Sequence, residues 1–203
     1  AVILNLRPRK SAKAYQTVWN THGEGSPLLS IAKLQKTEIT SLLEEKAPGQ
    51  FEVALGMCYG NPSMKSALAG LESNVRNNII VLLLYPQYAA SSAGSVLDAV
   101  PQALLTWRIV VDVVFFSSYN EEEKYIDALA NSVKEYQKTH GKPDFLLMSY
   151  LGIPKRYFDK GDNYPCQCCK TTFRLAQKLD LKPSEYQICL LYTSDASDDS
   201  LRL

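Results

Sequence analysis

This 203-residue sequence has neither an excess of charge of one sign nor a long apolar run. Its net charge is +1, so the chain lacks the basic excess that is typical of nucleic-acid-binding proteins. The longest apolar run, Ile79 to Leu84, is much shorter than the roughly 20 residues that a transmembrane helix needs. We therefore expect a globular chain that binds no nucleic acid and makes at most peripheral contact with a membrane.

Histidine is scarce, and the cysteine count is odd. His22 lies in a polar segment and His140 stands beside Gly141, so both are predicted to be surface residues rather than metal ligands. The five cysteines favour reduced thiols in a reducing compartment. From this we expect a cytoplasmic protein.

Strand-like and helix-like segments alternate along the chain. Short apolar runs rich in β-branched residues predict strands at 51–59, 78–85, 109–116, 145–150 and 186–191. Apolar residues at helical spacing predict helices that begin at Asn61-Pro62, near Leu97, at a capping box of Asn120 with Glu123, and near Pro165. Residues 89–95 are predicted to form a loop, and Pro101 is expected to kink or shorten the helix after it. Such alternation is typical of βαβ units, hence of an α/β fold with mostly parallel sheets.

The junction after the fourth predicted strand carries the strongest functional signal. The strand breaks at Gly152 and Pro154 into a loop with Lys155, Arg156 and Tyr157. Ligands of open α/β sheets bind outside the carboxyl ends of the strands, so chemistry is expected at this point. The residue at the turn is Leu151, whose side chain has no proton to give or accept.

Six short motifs, in a common order and spacing, resemble those of one enzyme family. They are GSPL at 25–28, LGMCYGNP at 55–62, LYPQY at 84–88, YIDALANS at 125–132, SYLGIP at 149–154, and GDNYP at 161–165 followed by Cys168, Thr171 and Thr172. With these motifs the chain resembles ferrochelatase, the enzyme that inserts Fe²⁺ into a porphyrin in haem biosynthesis. The likeness is greatest to the bacterial, cytoplasmic members.

The resemblance implies an architecture and a ligand. The fold would be Rossmann-like parallel sheets with flanking helices, in a chelatase-like two-domain architecture that is truncated at both ends. Residues 1–144 would form the first domain without its first strand, residues 145–188 would begin the second, and residues 189–203 look like a non-native tail. The implied partner is a porphyrin, with Fe²⁺ as the second substrate; nothing implies an oligomeric state.

The family places its active-site histidine where this chain has Leu151. An imidazole can accept a pyrrole proton or coordinate iron, and an isobutyl group can do neither. We therefore expect a ferrochelatase fragment that is inactive or nearly so. Two alternatives stay open: a non-catalytic porphyrin-binding relative in which Leu151 packs on the macrocycle, and an α/β domain that binds nothing.

The resemblance also implies a set of porphyrin-binding residues. Tyr15 and Ser26 match family residues near the porphyrin carboxylates, whereas Cys58 replaces a frequent arginine and cannot pair with a propionate. For Tyr85 and Tyr88, each taken singly, an aromatic wedged at a strand end is an equally good interpretation. The full set is Tyr15, Ser26, Tyr59, Tyr85, Gln87, Tyr88, Ser91 and Ser92, and no metal ligand is predicted.

Three cysteines, Cys166, Cys168 and Cys169, open the predicted helix near Pro165. Some ferrochelatases carry a [2Fe–2S] cluster on cysteines, and a zinc site is an alternative. Both need a fourth ligand, for which Cys58 and Cys189 are candidates only by elimination. We favour free thiols whose pKa is somewhat lowered at the helix N-terminus.

Overall fold

The computed structural model describes residues 12–13, 15–16, 19, 25–72 and 78–191. Its contacts divide the chain into unit 1, Ala1–Arg76 with Gln102–Arg108, and unit 2, Asn77–Pro101 with Ile109–Leu203. His22 and residues 192–203 of the predicted tail lie outside the described residues. In the described part, no helix combines the length and the apolar character that crossing a membrane requires.

The described residues of unit 1 include the helices α1 (Pro27–Lys46) and α2 (Met64–Leu71). Proline suits the first position of α1, because the amide it lacks would have no partner there. The predicted start of α2 at Asn61-Pro62 is wrong: Ser63 is the N-cap, and its hydroxyl accepts a hydrogen bond from the Ser66 amide at 3.1 Å. Leu68 is the buried residue of α2.

The strand predicted at 51–59 is also wrong. A strand needs a continuous ladder with a neighbour, and the described residues offer this segment one isolated bridge, between Met57 and Ser63. The Met57 amide donates to the Pro62 carbonyl at 2.8 Å, which turns the chain towards α2 instead of extending it. The apolar pattern of residues 51–59 therefore does not by itself identify a strand.

The first sheet of unit 2 pairs β1 (Asn78–Leu82) with β2 (Asp112–Phe116) in parallel. The register joins Asn78 to Asp112 and Leu82 to Phe116. Both strands lie inside predicted ones, and Ile79 supplies the buried side chain of β1. The connection between them is helical, as a parallel pair requires.

That connection corrects the predicted loop at 89–95. A π-helical turn covers Ala90–Gly94 and leads directly into α3 (Ser95–Leu104). The Gly94 amide donates to the Ala89 carbonyl at 3.1 Å, so the turn carries the five-residue hydrogen-bond spacing of a π-helix. Pro101 lies inside α3, which ends shortly afterwards at Leu104.

The second sheet of unit 2 pairs β3 (Leu146–Leu151) with β4 (Tyr186–Leu191), again in parallel. Three helices accompany it: α4 (Glu123–His140), α5 (Lys155–Asp159) and α6 (Tyr164–Lys178). Gly141 ends α4 as predicted, with the positive φ of 82° that glycine tolerates best. Cys189 to Leu191, the first residues of the predicted tail, belong to β4 and are paired with β3.

The predicted capping box at Asn120 and Glu123 is wrong. The N-cap of α4 is Glu122, which makes no side-chain cap bond. Asn120 is buried and its side-chain amide instead donates to the Gln167 carbonyl in α6, at 3.4 Å. The Asn120 side chain therefore makes a tertiary contact with α6 instead of the helix cap that the local sequence pattern predicts.

The core of unit 2 lies between β3, α4 and α6. Ala130, Met148, Leu175 and Ala176 are all buried there. Met148 is buried and its strand neighbours Leu147 and Ser149 are exposed, which is the alternation of a sheet with one covered face. Parallel strands with flanking helices confirm the α/β expectation. The core joins residues on both sides of position 144, and the two-domain division proposed from the sequence stays a prediction.

Candidate functional site

The site is built in unit 2 on the segments that follow β1 and β3. After β1, the chain passes through Leu83, whose amide donates to the Phe116 carbonyl at 3.4 Å, and reaches the π-helical turn. After β3, the Gly152 amide donates to the Leu191 carbonyl at 2.7 Å, and buried Ile153 precedes α5. Both segments leave the carboxyl ends of parallel strands, where α/β folds bind ligands.

Side chains of α6 hold the segment after β1 in place. The Tyr88 amide donates to Gln167 Oε1 at 2.8 Å, and Gln87 Nε2 donates to Thr171 Oγ1 at 3.0 Å. The Thr171 hydroxyl is itself buried and within 2.8 Å of the Asn120 carbonyl, to which it donates. These bonds hold the Tyr88 backbone and the Gln87 side chain against one face of α6.

Asp162 holds the next residues of the same segment. Its Oδ2 accepts a hydrogen bond from the Ala90 amide at 2.8 Å, and its Oδ1 accepts one from the Tyr164 amide at 3.1 Å. The Asp162 amide donates to the Tyr157 carbonyl at 3.0 Å, and the residue is 8% exposed. One buried carboxylate thus joins the start of the π-helical turn to the start of α6. Our sequence prediction did not single out Asp162, although it lies in the GDNYP motif.

An open cavity of about 450 Å³ lies between these segments of unit 2. Three of its residues, Tyr88, Ala90 and Ser91, come from the π-helical turn and its approach. The others follow β3, and they are Tyr157, Lys160, Gly161 and Asp162. The lining therefore mixes phenol rings and hydroxyls with one ammonium group and one carboxylate.

Two of the predicted porphyrin-binding residues, Tyr88 and Ser91, meet at this cavity. Gln87 is buried and engaged with Thr171, and the Ser92 hydroxyl lies 3.5 Å from the Ala89 carbonyl, so both serve local structure. Tyr85 is 46% exposed just after β1.

The other three predicted residues belong to unit 1. Tyr15 and Tyr59 are exposed, Tyr59 by 83%. Ser26 is the N-cap of α1 and makes no side-chain cap bond, while its carbonyl accepts from the Ser30 amide at 3.1 Å. Burial raises the pKa of the neighbouring Cys58 thiol. The porphyrin-binding roles of these residues stay predictions.

Leu151 is the last residue of β3, in register with Leu191 of β4. Its side chain is 67% exposed and lies on the sheet face opposite to Met148. The position where the resemblance implies a histidine therefore presents an uncharged aliphatic group to the solvent. It supplies no acid, base or metal ligand.

The three cysteines of α6 have different surroundings. Cys168 is fully buried, Cys169 is half-buried and Cys166 is exposed. Burial raises the pKa of Cys168 to about 12 and also raises the pKa of Cys169. The expected lowering of the pKa is therefore wrong for these two thiols, because desolvation of the thiolate outweighs the helix N-terminus.

The thiols do not fit a metal centre built from these three residues alone. Cys168 faces the core beside Tyr164, while Cys166 faces the solvent. Within the described ranges, no group of three or more histidine, cysteine, aspartate or glutamate side chains is placed to hold a metal ion. We derive no chemistry through a [2Fe–2S] cluster.

Two phenol groups near α6, those of Tyr150 and Tyr164, stay protonated at neutral pH. Burial raises the pKa of Tyr150 to about 12, although the Thr172 hydroxyl, 3.0 Å from the Tyr150 oxygen, partly offsets this effect. Burial also raises the pKa of Tyr164, beside Cys168. These groups can donate hydrogen bonds but are poor bases.

Comparison with known proteins gives a consistent result. The family model described as ferrochelatase matches residues 1–199. The chain is 49% identical to a ferrochelatase of Hydrogenovibrio crunogenus over 187 residues, which are 92% of this chain and 50% of that protein. It is 46% identical to a ferrochelatase of Thioalkalivibrio sulfidiphilus over 187 residues, again 92% of this chain and 50% of the relative. A protein named ferrochelatase 1 from Shewanella oneidensis is 44% identical over 188 residues, 93% of this chain and 56% of the relative. The chain thus spans about half the length of the curated relatives it matches.

Proposed function

The chain belongs to the ferrochelatase family, and from that premise we propose that it binds a porphyrin and takes part in the insertion of Fe²⁺ during haem biosynthesis. The observation that carries the proposal is the sequence identity of 40–49% to bacterial ferrochelatases across most of the chain. The cavity of unit 2 supports it, since Tyr88 and Ser91, both expected near the porphyrin, line that cavity. A cytoplasmic location belongs to the same proposal.

We further propose that metal insertion by this chain is slow because of Leu151. Fe²⁺ can enter the ring only if two pyrrole protons leave, and a positioned base speeds such a transfer by about 10²–10⁴. The exposed Leu151 side chain offers no base. The Tyr150 phenol beside it in sequence does not replace one, because its pKa is raised to about 12.

A second candidate is porphyrin binding without metal insertion. Leu151 favours it, because an exposed aliphatic side chain can pack against a flat apolar macrocycle. Both candidates bind a porphyrin, and only the first inserts Fe²⁺. One pair of variants separates them.

The experiment measures porphyrin binding and metal insertion together. Binding of a dicarboxylic porphyrin is followed by the shift of its Soret band, and insertion of Fe²⁺ under anaerobic conditions by the loss of porphyrin fluorescence. The test variant is Leu151→His. The matched control is Leu147→His, which puts an imidazole on the same exposed face of β3, away from the family position.

We expect the original chain to bind the porphyrin and to insert Fe²⁺ at a rate close to the uncatalysed one. Leu151→His should raise that rate by about 10²–10⁴, and Leu147→His should leave it unchanged. Binding without rescue would favour the non-catalytic candidate. Absence of a Soret shift at micromolar porphyrin would remove both candidates.

A further inference from the structure

We propose that the cavity of unit 2 binds a carboxylate group, with Lys160 as its counter-ion and with the hydroxyls of Tyr88, Ser91 and Tyr157 as donors. The inference deepens the proposed function, and rests on it, in one respect: a dicarboxylic porphyrin is the ligand that would bring the carboxylate. The recognition chemistry itself is independent of that ligand. Residues of unit 2 alone carry it.

The first observation is a cation available for a ligand. Lys160 lines the cavity and is exposed, and it forms no ion pair with any described residue. The nearby Lys155 is different, because its ammonium is paired with Asp159 at 2.7 Å. Arg156 does not line the cavity; its guanidinium carbon lies 5.4 Å from the centre of the ring of Tyr157, which does.

The second observation concerns Asp162, the one carboxylate among the described residues that line the cavity. It is buried, and both of its oxygens accept hydrogen bonds from backbone amides, those of Ala90 and Tyr164. Backbone amides compensate a carboxylate well, because a charged acceptor strengthens the bond. Asp162 is therefore bound to the backbone framework, and no ion pair joins it to Lys160.

The third observation is the balance of donors and acceptors. Lys160 offers an ammonium, and the three hydroxyl residues each offer an O–H group, whereas the lining carboxylate is already engaged. A carboxylate ligand has two oxygens with about four lone-pair sites to receive such donors. The cavity is open, so a carboxylate can enter it while the body of a larger ligand stays outside.

The carboxylate has two potential sources, a porphyrin side chain or a free small acid. Three ligands distinguish them: a dicarboxylic porphyrin, its dimethyl ester in the same detergent, and succinate. Porphyrin binding is measured by Soret titration, and succinate binding by shifts of the amide resonances of residues 88–91 and 160–162. All titrations use the full chain at one ionic strength, because screening alters the electrostatic part.

The test variant is Lys160→Gln, with Lys155→Gln as the control. Both remove one positive charge from exposed positions near each other, but Lys155 does not line the cavity. Lys160→Arg keeps the charge and tests whether charge suffices. We expect Lys160→Gln to weaken binding of the dicarboxylic porphyrin about three- to tenfold, as for a charge-assisted bond that is partly exposed. Lys155→Gln should change the affinity by less than about twofold, and Lys160→Arg should retain most of it.

The outcomes separate this inference from the proposed function. If the dimethyl ester binds as tightly as the diacid, or if both glutamine variants weaken binding equally, the carboxylate site is wrong while the porphyrin function stands. If succinate binds and depends on Lys160 but no porphyrin binds, the site stands and the porphyrin function fails. If none of the three ligands binds, both are wrong.

Discussion

Thr171→Val should destabilise the chain far more than its small chemical change suggests. The Thr171 side chain is 1% exposed, and its hydroxyl accepts from Gln87 Nε2 at 3.0 Å while it donates to the Asn120 carbonyl at 2.8 Å. Valine keeps the volume and removes both bonds, together with the 3.1 Å contact between the Thr171 hydroxyl and the Gln167 carbonyl. It leaves a donor on Gln87 and an acceptor on Asn120 in a region without ready access to water. Each such group costs about 1–3 kcal/mol, so we expect a loss of about 2–4 kcal/mol in the free energy of unfolding.

Urea denaturation followed by far-UV circular dichroism measures this loss. Thr172→Val is the matched control on the same helix, because the Thr172 hydroxyl makes one bond, to the Tyr150 hydroxyl at 3.0 Å. We expect it to cost about 1 kcal/mol. Thr139→Val, on an exposed turn of α4, should change stability by no more than about 0.5 kcal/mol. The dependence of the unfolding free energy on urea should stay constant across the series.

The reasoning fails if Thr171→Val costs no more than Thr172→Val. Such a result would mean that Gln87 and Asn120 find other partners or water when the hydroxyl is lost. The bonds from α6 would then not be what holds residues 87–88 in place. A loss near 2–4 kcal/mol with an unchanged urea dependence would instead assign that role to Thr171.

Three further predictions follow from the same geometry. Asp162→Asn should cost about 2–4 kcal/mol in urea denaturation, because its new NH₂ group faces the amide of either Ala90 or Tyr164; an unchanged midpoint would contradict this. A thiol-specific aromatic disulfide should label Cys166 first and buried Cys168 only on unfolding, as read by mass spectrometry, and equal rates would refute the burial argument. Above pH 9 the unfolded chain releases a proton that folded Cys168 keeps, because burial raises its pKa from 9.0 to about 12. Stability should therefore fall between pH 9 and 12 by up to about 1.4 kcal/mol per pH unit from this thiol, and Cys168→Ala should make that slope shallower.

The elements that the sequence predicted well are those with a long or uniform pattern. The stripe of α4 and its end at Gly141 follow from helical spacing and from a glycine with positive φ. The strands β1 to β4 follow from short apolar runs. Segment 51–59 has a similar run and forms no strand, because pairing depends on a neighbour that local pattern does not reveal. The π-helical turn at Ala90–Gly94 has the small residues of a loop and was predicted as one.

The site was harder to predict than the fold because its bonds join distant parts of the chain. The bonds from Asp162, Gln167 and Thr171 to the segment after β1 span 72, 79 and 84 residues. No local spacing rule connects such positions. Tyr88 and Ser91 were found through motif resemblance, whereas Lys160 and Asp162 emerged only from the cavity lining. The sequence signal for Asp162 is its position as a polar residue just before a helix and within the GDNYP motif.

Because Leu151 is exposed, the Leu151→His variant can test whether the chain lacks a base for metal insertion without a loss of stability that would confuse the result. A buried leucine could not be exchanged for histidine without a large cost, since cavities and buried polar groups are expensive. Leu151 is 67% exposed at the end of β3, so the exchange should change the free energy of unfolding by no more than about 0.5 kcal/mol. A gain in metal insertion on Leu151→His would then report the arrival of a base, and unchanged folding of Leu147→His would confirm that the sheet face tolerates an imidazole. If Leu151→His unfolds the chain, the argument from the exposure of Leu151 is wrong, and the leucine is required for stability.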